Sequence, residues 1–288
     1  MFKAPYNFYG ISPVPFAKSK VAVLPVPYEG TVSYQHGTSL GPQAIITASR
    51  QVEFFDIELQ KEIPNVGVFT YPELEPSTNS VKETVDRVEA VTRKSLKANK
   101  FQIMLGGEHS ITPGAVRAFA AKYKDLSILQ LDAHSDLRDE YEGSAYNHAC
   151  AMRRCREMVP TIIQCGIRSQ DREEAAYIRK NHLESQVYYG PNVPLEKIVK
   201  QLTKHVYVSI DLDVFDPSIM LGTGTPEPGG MLWEQVLSIL RAVMKSVTVV
   251  GADVVELAPI PGISAPDFLA AKLVHKLIAY KYFHKLLR

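Results

Sequence analysis

The stretch "LSILQLDAHSD", residues 126–136, joins an apolar run directly to two carboxylates and an imidazole. Its first six residues have the length and the apolar character of a strand that is covered on both faces. Charged groups at the end of such a run lose their hydration, and they need partners or a metal to offset that loss. The stretch therefore predicts a buried strand that ends at a polar site.

Five further apolar runs of similar length occur along the chain, and helix-like patterns lie between them. This alternation predicts a mainly parallel sheet with helices on both faces, because each parallel connection needs a crossover. No repeat or linker divides the sequence, so we expect one domain over residues 1–288. The predicted strands are 21–26, 101–105, 126–131, 161–166, 206–212 and 247–255, and the predicted helices are 80–100, 112–124, 232–246 and the segment from about 265 onward.

The composition argues against several classes of function. The formal net charge of +1 gives no strong field for nucleic acid or an anionic membrane. No apolar run has membrane-spanning length, and the N-terminal segment lacks the apolar core of a signal peptide. We therefore expect a cytoplasmic protein without nucleic-acid or membrane partners. Cys150, Cys155 and Cys165 do not form a disulfide or zinc pattern and are expected to pack in the core.

Polar clusters follow four of the predicted strands. Ligands of a parallel α/β sheet bind beyond the carboxyl ends of its strands, so these clusters are expected to meet at one edge. Alternate residues of an extended segment point the same way, which would let Asp132, His134 and Asp136 face one point. Asp211 and Asp213 would do the same. The clusters are "GGEHS" (106–110) with His109, "DAHSD" (132–136), "DLDVFDP" (211–217) and "ELAPIPG" (256–262) with Glu256.

These clusters contain many acids and no Lys or Arg among them, so the carboxylates would repel one another unless cations lie between them. Mixed carboxylate and imidazole ligands suit a divalent ion such as Mn²⁺. Six such groups suit a bridged pair of ions. No cysteine lies in the clusters, so a thiolate zinc site is not expected. Each motif alone also fits a turn or a helix cap, but their joint position at strand ends favours a metal site.

The motifs "GGEHS", "DAHSD", "YNHAC", "SIDLDVFDP", "GTGTPEPGG" and "GADVVELAP", taken in order, resemble those of the ureohydrolases, the arginase and agmatinase family. The segment "PVPYEGTVSYQHGTSLGPQAI" resembles the opening of that family, so the likeness covers nearly the whole chain. "GTGTPEPGG" looks more like the agmatinase branch than the arginases. The resemblance implies a three-layer α/β/α fold around a mainly parallel eight-stranded sheet, a homotrimer or homohexamer, and hydrolysis of a guanidino group to urea and an amine.

The resemblance also implies two Mn²⁺ ions per chain and a role for each matching residue. His148 of "YNHAC" matches the proton-shuttling histidine of the family, and Glu256 matches the carboxylate that binds the guanidinium. This chain has "HAC" where many agmatinases have "HGT", so the histidine is retained beside an altered pocket wall. The implied ligands are His109, Asp132, Asp136 and Asp211 for one ion and Asp132, His134, Asp211 and Asp213 for the other, with Asp132 and Asp211 bridging.

The residues also suggest how such a site would work. Two bridging cations would lower the pKa of water and supply a nucleophile, which Asp136 would hydrogen-bond. Glu256 would pair with the guanidinium and hold its carbon over that nucleophile. Imidazole titrates near neutral pH, so His148 could give a proton to the leaving amine. Asp136, His148 and Glu256 are therefore the predicted catalytic residues.

The loop at 137–147 suggests which substrate the site would take. It carries Asp139, Glu140 and Glu142 against a single arginine, Arg138. Such an acidic rim would attract the amine of agmatine and repel the carboxylate of arginine or of 4-guanidinobutyrate. Glu142 and Asn147 of this loop are therefore candidate substrate-binding residues, together with Glu256.

The leading prediction is manganese-dependent hydrolysis of agmatine to putrescine and urea, a step in polyamine biosynthesis. N1-aminopropylagmatine carries more positive charge and fits the acidic rim equally well, so it is the first alternative. A zinc-dependent amide hydrolase of similar fold is less favoured because each acidic motif contains a second aspartate. A metal-binding regulatory protein is the non-enzymatic alternative, and the full set of ligands with His148 and Glu256 argues against it.

Overall fold

The computed structural model describes residues 5–287 and contains ten strands within that range. Eight strands form one sheet, and two form a separate antiparallel hairpin. The strands are β1 (Val21–Val26), β2 (Phe55–Asp56), β3 (Lys61–Glu62), β4 (Val68–Thr70), β5 (Phe101–Gly106), β6 (Leu126–Leu131), β7 (Ile162–Ile167), β8 (Val187–Tyr189), β9 (His205–Asp211) and β10 (Thr248–Val255).

Every pairing in the eight-stranded sheet is parallel, which confirms the predicted parallel architecture. The strand order is β4-β1-β5-β10-β9-β6-β7-β8. All residues of β1, β5, β6 and β7 are buried, as expected for strands covered on both faces. The strands β5, β10, β9 and β6 are neighbours, so their carboxyl ends lie side by side.

Eight α-helices cover the two faces of the sheet within the described residues. The residues of α1, α7 and α8 pack into one apolar core, while those of α2, α3 and α4 pack into the other. The molecule therefore has the three layers that the sequence predicted. The helices are α1 (Gly41–Ser49), α2 (Val81–Lys97), α3 (Thr112–Lys122), α4 (Ala151–Arg156), α5 (Arg172–Lys180), α6 (Leu195–Gln201), α7 (Trp233–Ser246) and α8 (Ala265–Phe283).

Local chemistry explains where several helices begin. Ser80 precedes α2, and its side chain accepts a hydrogen bond from the Glu83 backbone N–H. Pro113 occupies the first turn of α3, where its missing N–H costs nothing. Asp171 precedes α5 in a reciprocal cap, in which the Glu174 carboxylate accepts the Asp171 backbone N–H. This last cap holds Glu174 close to the carboxyl edge of the sheet.

The predicted strands and helices are all present, with ends that differ by a few residues. The edge strands β4 and β8 were not predicted, because each has three residues and neither is uniformly apolar. Cys150, Cys155 and Cys165 are buried free thiols, as predicted. Among residues 5–287, none of the helices combines the length and apolar character that crossing a bilayer requires.

Candidate metal centre and active site

A cavity of about 280 Å³ opens at the carboxyl edge of the sheet. Its wall includes six of the residues that the sequence singled out, and those residues come from four different segments. His109 and Asp132 are fully buried next to this wall, with at most 1% of their surface exposed. The six predicted residues on the wall are His134, Asp136, His148, Asp211, Asp213 and Glu256.

The first cluster of possible ligands surrounds His109. Its Nδ1 atom lies 3.2 Å from Asp132 Oδ2, 3.0 Å from Asp136 Oδ2 and 3.6 Å from Asp211 Oδ2. These carboxylates follow β6 and β9, while His109 follows β5. His109, Asp132 and Asp211 therefore form one group that could hold a metal ion, and Asp136 contacts the same nitrogen of His109.

The second cluster surrounds His134. Its Nδ1 atom lies 2.8 Å from Asp213 Oδ2 and 3.8 Å from Asp132 Oδ1. Asp132 thus directs one oxygen to each cluster, as a bridging carboxylate would. The Oδ1 atoms of Asp132 and Asp211 also accept the backbone N–H groups of His134 and Asp213, at 2.6 and 2.9 Å, and a bridging role stays a prediction for both residues.

The side chains converge for a different backbone reason from the one expected. Residues 132–136 lie beyond β6, which ends at Leu131, and a 3₁₀ turn covers Leu212–Val214, so neither segment is the continuous extended stretch that the sequence predicts. Asp136 reaches the cluster through a left-handed backbone with φ of 52°, and Glu256 has φ of 66°. Non-glycine residues rarely adopt this region, and such positions concentrate at functional sites.

The hydrogen bonds of His109 show that its inward-facing nitrogen suits a cation. Its Nε2 atom lies 2.8 Å from the hydroxyl of Ser209, and that hydroxyl donates to Asp253 Oδ1 at 2.7 Å. The Ser209 oxygen must then accept from Nε2–H, which leaves a lone pair on Nδ1 in the neutral ring. That lone pair is buried and faces Asp132 Oδ2 at 3.2 Å and Asp136 Oδ2 at 3.0 Å, atoms to which an unprotonated Nδ1 cannot donate. A divalent cation is the group that satisfies such a donor set.

The acids of the centre do not ionise alike. Burial, and then the charges of Asp213 and Asp136, raise the pKa of Asp132 to about 7. Burial, with Asp213 and Asp132, also raises the pKa of Asp211 well above its usual range. Burial opposes ionisation of Asp213 as well, but the charge of His134 lowers the pKa of that carboxyl to about 2. The dense packing of carboxylates therefore opposes ionisation of Asp132 and Asp211, and a cation between them would favour it.

Glu256 and His148 lie on the cavity wall apart from the two clusters. The Oε1 atom of Glu256 accepts the backbone N–H of His109 at 2.6 Å. Burial, followed by the charge of Glu108, raises the pKa of Glu256 well above its usual range, so this wall favours a bound cation. His148 begins a 3₁₀ turn that Asn147 caps, and its Nδ1 atom lies 3.2 Å from the Thr31 hydroxyl.

The structure places the two candidate substrate residues of the 137–147 loop elsewhere. Glu142 is exposed to solvent. Asn147 is buried, and its side-chain oxygen accepts the backbone N–H of Ala149. Neither residue is among the described residues that line the cavity. The predicted acidic rim is also weaker than expected, because Asp139 lies 2.6 Å from the Arg154 guanidinium. These positions do not favour direct substrate contacts, and that role stays a prediction for both residues.

Sequence reasoning overlooked the residues that support the ligands. Gln130 donates to Asp132 Oδ2 at 2.6 Å, and Ser209 and Asp253 hold His109. Each of the three is a buried polar residue inside an apolar strand, in "LSILQL", "VYVSID" and "TVVGADVV". A polar side chain within a fully buried strand needs a hydrogen-bond partner, so these three residues could have been predicted to support the polar site. Glu108 and Thr31 were harder to predict as supporting residues, because both lie in loops, where polar residues are common.

Residues 19–279 match the arginase family. The chain is 37% identical to an N(1)-aminopropylagmatine ureohydrolase of Synechocystis sp., covering 92% of this chain and 90% of that protein. It is 35% identical to an agmatinase of Bacillus cereus, covering 85% of this chain and 86% of that protein. Among solved structures, the agmatine ureohydrolase of Thermoplasma volcanium matches with a TM-score of 0.87 and 30% identity, covering 98% of this chain and 96% of that one.

Proposed function

Because the chain belongs to the arginase family of ureohydrolases, we propose that it hydrolyses agmatine to putrescine and urea at a pair of manganese ions. One observation carries this proposal: two His/Asp clusters share Asp132 beside a cavity whose wall also holds Glu256 and His148. The residues proposed as metal ligands, as the guanidinium-binding carboxylate and as the proton donor thus lie around one cavity.

The proposed ligand set follows the two clusters. His109, Asp132, Asp136 and Asp211 would hold one ion, and Asp132, His134 and Asp213 would hold the other. Asp211 is proposed as a shared ligand of the second ion on the family resemblance. Imidazole with several carboxylates suits Mn²⁺ better than a thiophilic metal. When bound, a pair of such ions lowers the pKa of water and supplies a nucleophile at neutral pH.

Glu256 is proposed to bind and orient the guanidinium. Its carboxylate lies on the cavity wall with one oxygen anchored to the His109 backbone. A guanidinium on this carboxylate would form a charge-assisted pair and would favour its ionised form, against the raised pKa. Asp136, on the same wall, would accept a hydrogen bond from the attacking oxygen.

His148 is proposed to protonate the leaving amine. Breaking the carbon–nitrogen bond leaves an electron pair on that nitrogen, which takes a proton from an imidazolium. His148 lines the cavity and is not a member of either ligand cluster, so it can change protonation without releasing an ion.

Further charges on the cavity wall favour a substrate with a second cation. Asp171 and Glu174 lie on the wall, while the one arginine there, Arg138, is 3.5 Å from Asp171 and stacks on Tyr141. The positive charge of Arg138 is thus partly offset. An amine at the far end of the substrate meets a favourable field, and the carboxylate of arginine meets an unfavourable one.

N1-aminopropylagmatine is the second candidate substrate, and one observation favours it. Relatives from Synechocystis sp. and Thermus thermophilus, 37% and 36% identical to this chain, bear the name N(1)-aminopropylagmatine ureohydrolase. The longer compound keeps the agmatine guanidinium and adds positive charge toward the cavity mouth. Both candidates therefore use the same centre and differ only at the outer end.

The test is urea release by Mn²⁺-loaded protein from agmatine, N1-aminopropylagmatine, arginine and 4-guanidinobutyrate. We expect kcat/KM for one of the two cationic compounds to exceed that for arginine by more than about tenfold, which is about 1.4 kcal/mol. Faster turnover of the aminopropyl compound would assign the chain to that substrate. Equal turnover of arginine would contradict the charge argument, and no urea from any compound would favour a regulatory metal-binding protein.

A pair of variants tests the outer wall directly. Asp171→Asn removes a carboxylate from the cavity wall, whereas Asp139→Asn removes an exposed one that is already paired with Arg154. We expect the first to raise KM for the cationic substrate and the second to leave it unchanged. Similar effects of both variants would mean that the wall does not select the substrate.

Assembly is a separate proposal that rests on the family resemblance. We propose a homotrimer or homohexamer, which light scattering on the purified protein would measure. A monomer that hydrolyses the substrate at full rate would contradict it.

A further inference from the structure

The segment that precedes α1 lies tightly against the loop after β5. A Cβ atom at Gly107 would overlap the backbone carbonyl of Tyr28, so only glycine allows this approach. The Glu108 N–H donates to the same carbonyl at 2.9 Å. As a result, residues 28–31 are fixed beside Glu108, whose side chain has no exposed surface.

The buried Glu108 carboxylate is occupied mainly by this segment. Its Oε2 atom accepts the backbone N–H groups of Gly30 at 3.0 Å and Thr31 at 2.8 Å. Its Oε1 atom accepts the hydroxyl of Thr31 at 2.8 Å and that of Ser110. Both carboxylate oxygens thus act as acceptors, and the single hydroxyl proton of Thr31 is directed to Glu108.

The oxygen of Thr31 therefore has only lone pairs to offer His148. The backbone N–H of His148 lies 3.1 Å from this oxygen, and the Nδ1 atom of its ring lies 3.2 Å from it. A contact between Nδ1 and an oxygen that has no proton to give is a hydrogen bond only if Nδ1 carries the proton. In the neutral ring, Nε2 is then the nitrogen that is free to accept a proton and return it.

We propose that Thr31, held by the buried Glu108, is a positioning residue that fixes the ring and the tautomer of His148. This inference rests on the proposed function, in which His148 protonates the leaving amine. Thr31 touches neither substrate nor ion in this scheme. It keeps the proton on Nδ1, so Nε2 always faces the reaction in the form that can take up and donate a proton.

Two nearly isosteric substitutions test the role of the hydroxyl. Thr31→Val removes it and keeps the shape, and Thr31→Ser keeps it and removes only a methyl group. We expect Thr31→Val to lower kcat by about tenfold, which equals the loss of one hydrogen bond of about 1.4 kcal/mol. KM and manganese content should stay within about twofold, and Thr31→Ser should restore kcat. Ser110→Ala removes another donor to the same carboxylate and should keep kcat near the wild-type value.

A double-mutant cycle and a spectroscopic measurement separate this role from a structural one. Thr31→Val should have no further effect on kcat in a His148→Asn background, because the two changes remove one function. In ¹⁵N-histidine spectra, His148 should be protonated at Nδ1 in the wild type and show both tautomers in Thr31→Val, with His148→Asn supplying the assignment. This measurement needs no turnover.

The outcomes distinguish the two proposals. If the wild type releases urea while Thr31→Val is as fast, or while Thr31→Ser is as slow as Thr31→Val, the positioning role is wrong and the proposed function stands. An unchanged tautomer in Thr31→Val would overturn the positioning role in the same way. If the wild type releases no urea from any guanidino compound, the proposed function fails, and the tautomer measurement still decides what Thr31 does to the ring.

Discussion

Removing the Ser209 hydroxyl should weaken the binding of one metal ion while leaving the fold intact. In Ser209→Ala, the Nε2–H of His109 loses an acceptor at 2.8 Å, and Asp253 Oδ1 loses a donor at 2.7 Å. Both groups are buried, so water does not replace the lost partners freely. The ring of His109 is then free to tilt, and its Nδ1 becomes a weaker ligand.

The structure sets the expected size of this effect. One buried hydrogen bond to the ligand ring is lost, and removing such a supporting partner typically weakens metal affinity by about 10–100-fold, or about 1.4–2.7 kcal/mol. The free energy of unfolding should fall by about 1–3 kcal/mol, because two buried polar groups lose their partners. The ion held by His109 should be affected, while the ion held around His134 should bind with nearly unchanged affinity.

Calorimetric titration of chelator-treated protein with Mn²⁺, in competition with a chelator of known affinity, measures both binding events. Tyr207→Phe is the matched control: it removes another hydroxyl that donates to Asp253, at 2.8 Å, without touching His109. We expect the control to lose stability of about 1 kcal/mol and to keep both affinities within about twofold. The reasoning is refuted if folded Ser209→Ala binds both ions as the wild type does, or if Tyr207→Phe weakens them equally.

Three further results are expected. Metal analysis of fully loaded protein should approach two ions per chain, and Mn²⁺ should restore activity after chelation; full activity with one tightly held Zn²⁺ would contradict this. His148→Asn should keep its manganese and lose about 10²–10⁴-fold in kcat, and loss of the metal would show that His148 is a ligand. Asp56→Asn should lower the free energy of unfolding at pH 7 by about 3 kcal/mol in urea titrations, because Asp56 is buried 2.8 Å from Lys276 Nζ. Burial opposes ionisation of Asp56, but His275 and Lys276 lower its pKa, so this stability is present above the unfolded-state pKa and is lost as the pH falls. The difference in unfolding free energy between the variant and the wild type should therefore shrink below about pH 4. A difference that stays constant with pH would refute the ion-pair explanation.

The sheet could be predicted from the sequence because its central strands are long, apolar and fully buried. β6 and β9 carry their own signal, whereas β4 and β8 acquire strand geometry only by pairing with β1 and β7 at the edges. Three residues of mixed polarity contain too little information to show such pairing. The interior of the sheet was therefore predictable, and its margins depended on tertiary contacts.

The candidate site was also predictable only in part. The meeting of four strand ends follows from parallel topology, so the convergence of His109, Asp132 and Asp211 could be expected from their positions alone. The left-handed backbone of Asp136 and Glu256 could not be expected, because non-glycine residues rarely adopt that conformation. The same holds for the acidic rim: Asp139 is neutralised by Arg154, a residue fifteen positions away on another element.

The strand order has a consequence for how the centre is assembled during synthesis. β10 is the last strand of the described chain to leave the ribosome, yet it inserts between β5 and β9 in the middle of the sheet. Before it does so, His109 belongs to one half-sheet, and the aspartates that follow β6 and β9 belong to the other. An ion bound to both His109 and Asp211 would hold the two halves together, and Mn²⁺ should therefore slow amide hydrogen exchange in β10 more than in β7. Capture of the ion that contacts His109 would be postponed until β10 is in place, when Glu256 arrives with it, whereas Asp132, His134 and Asp213 already belong to one half-sheet.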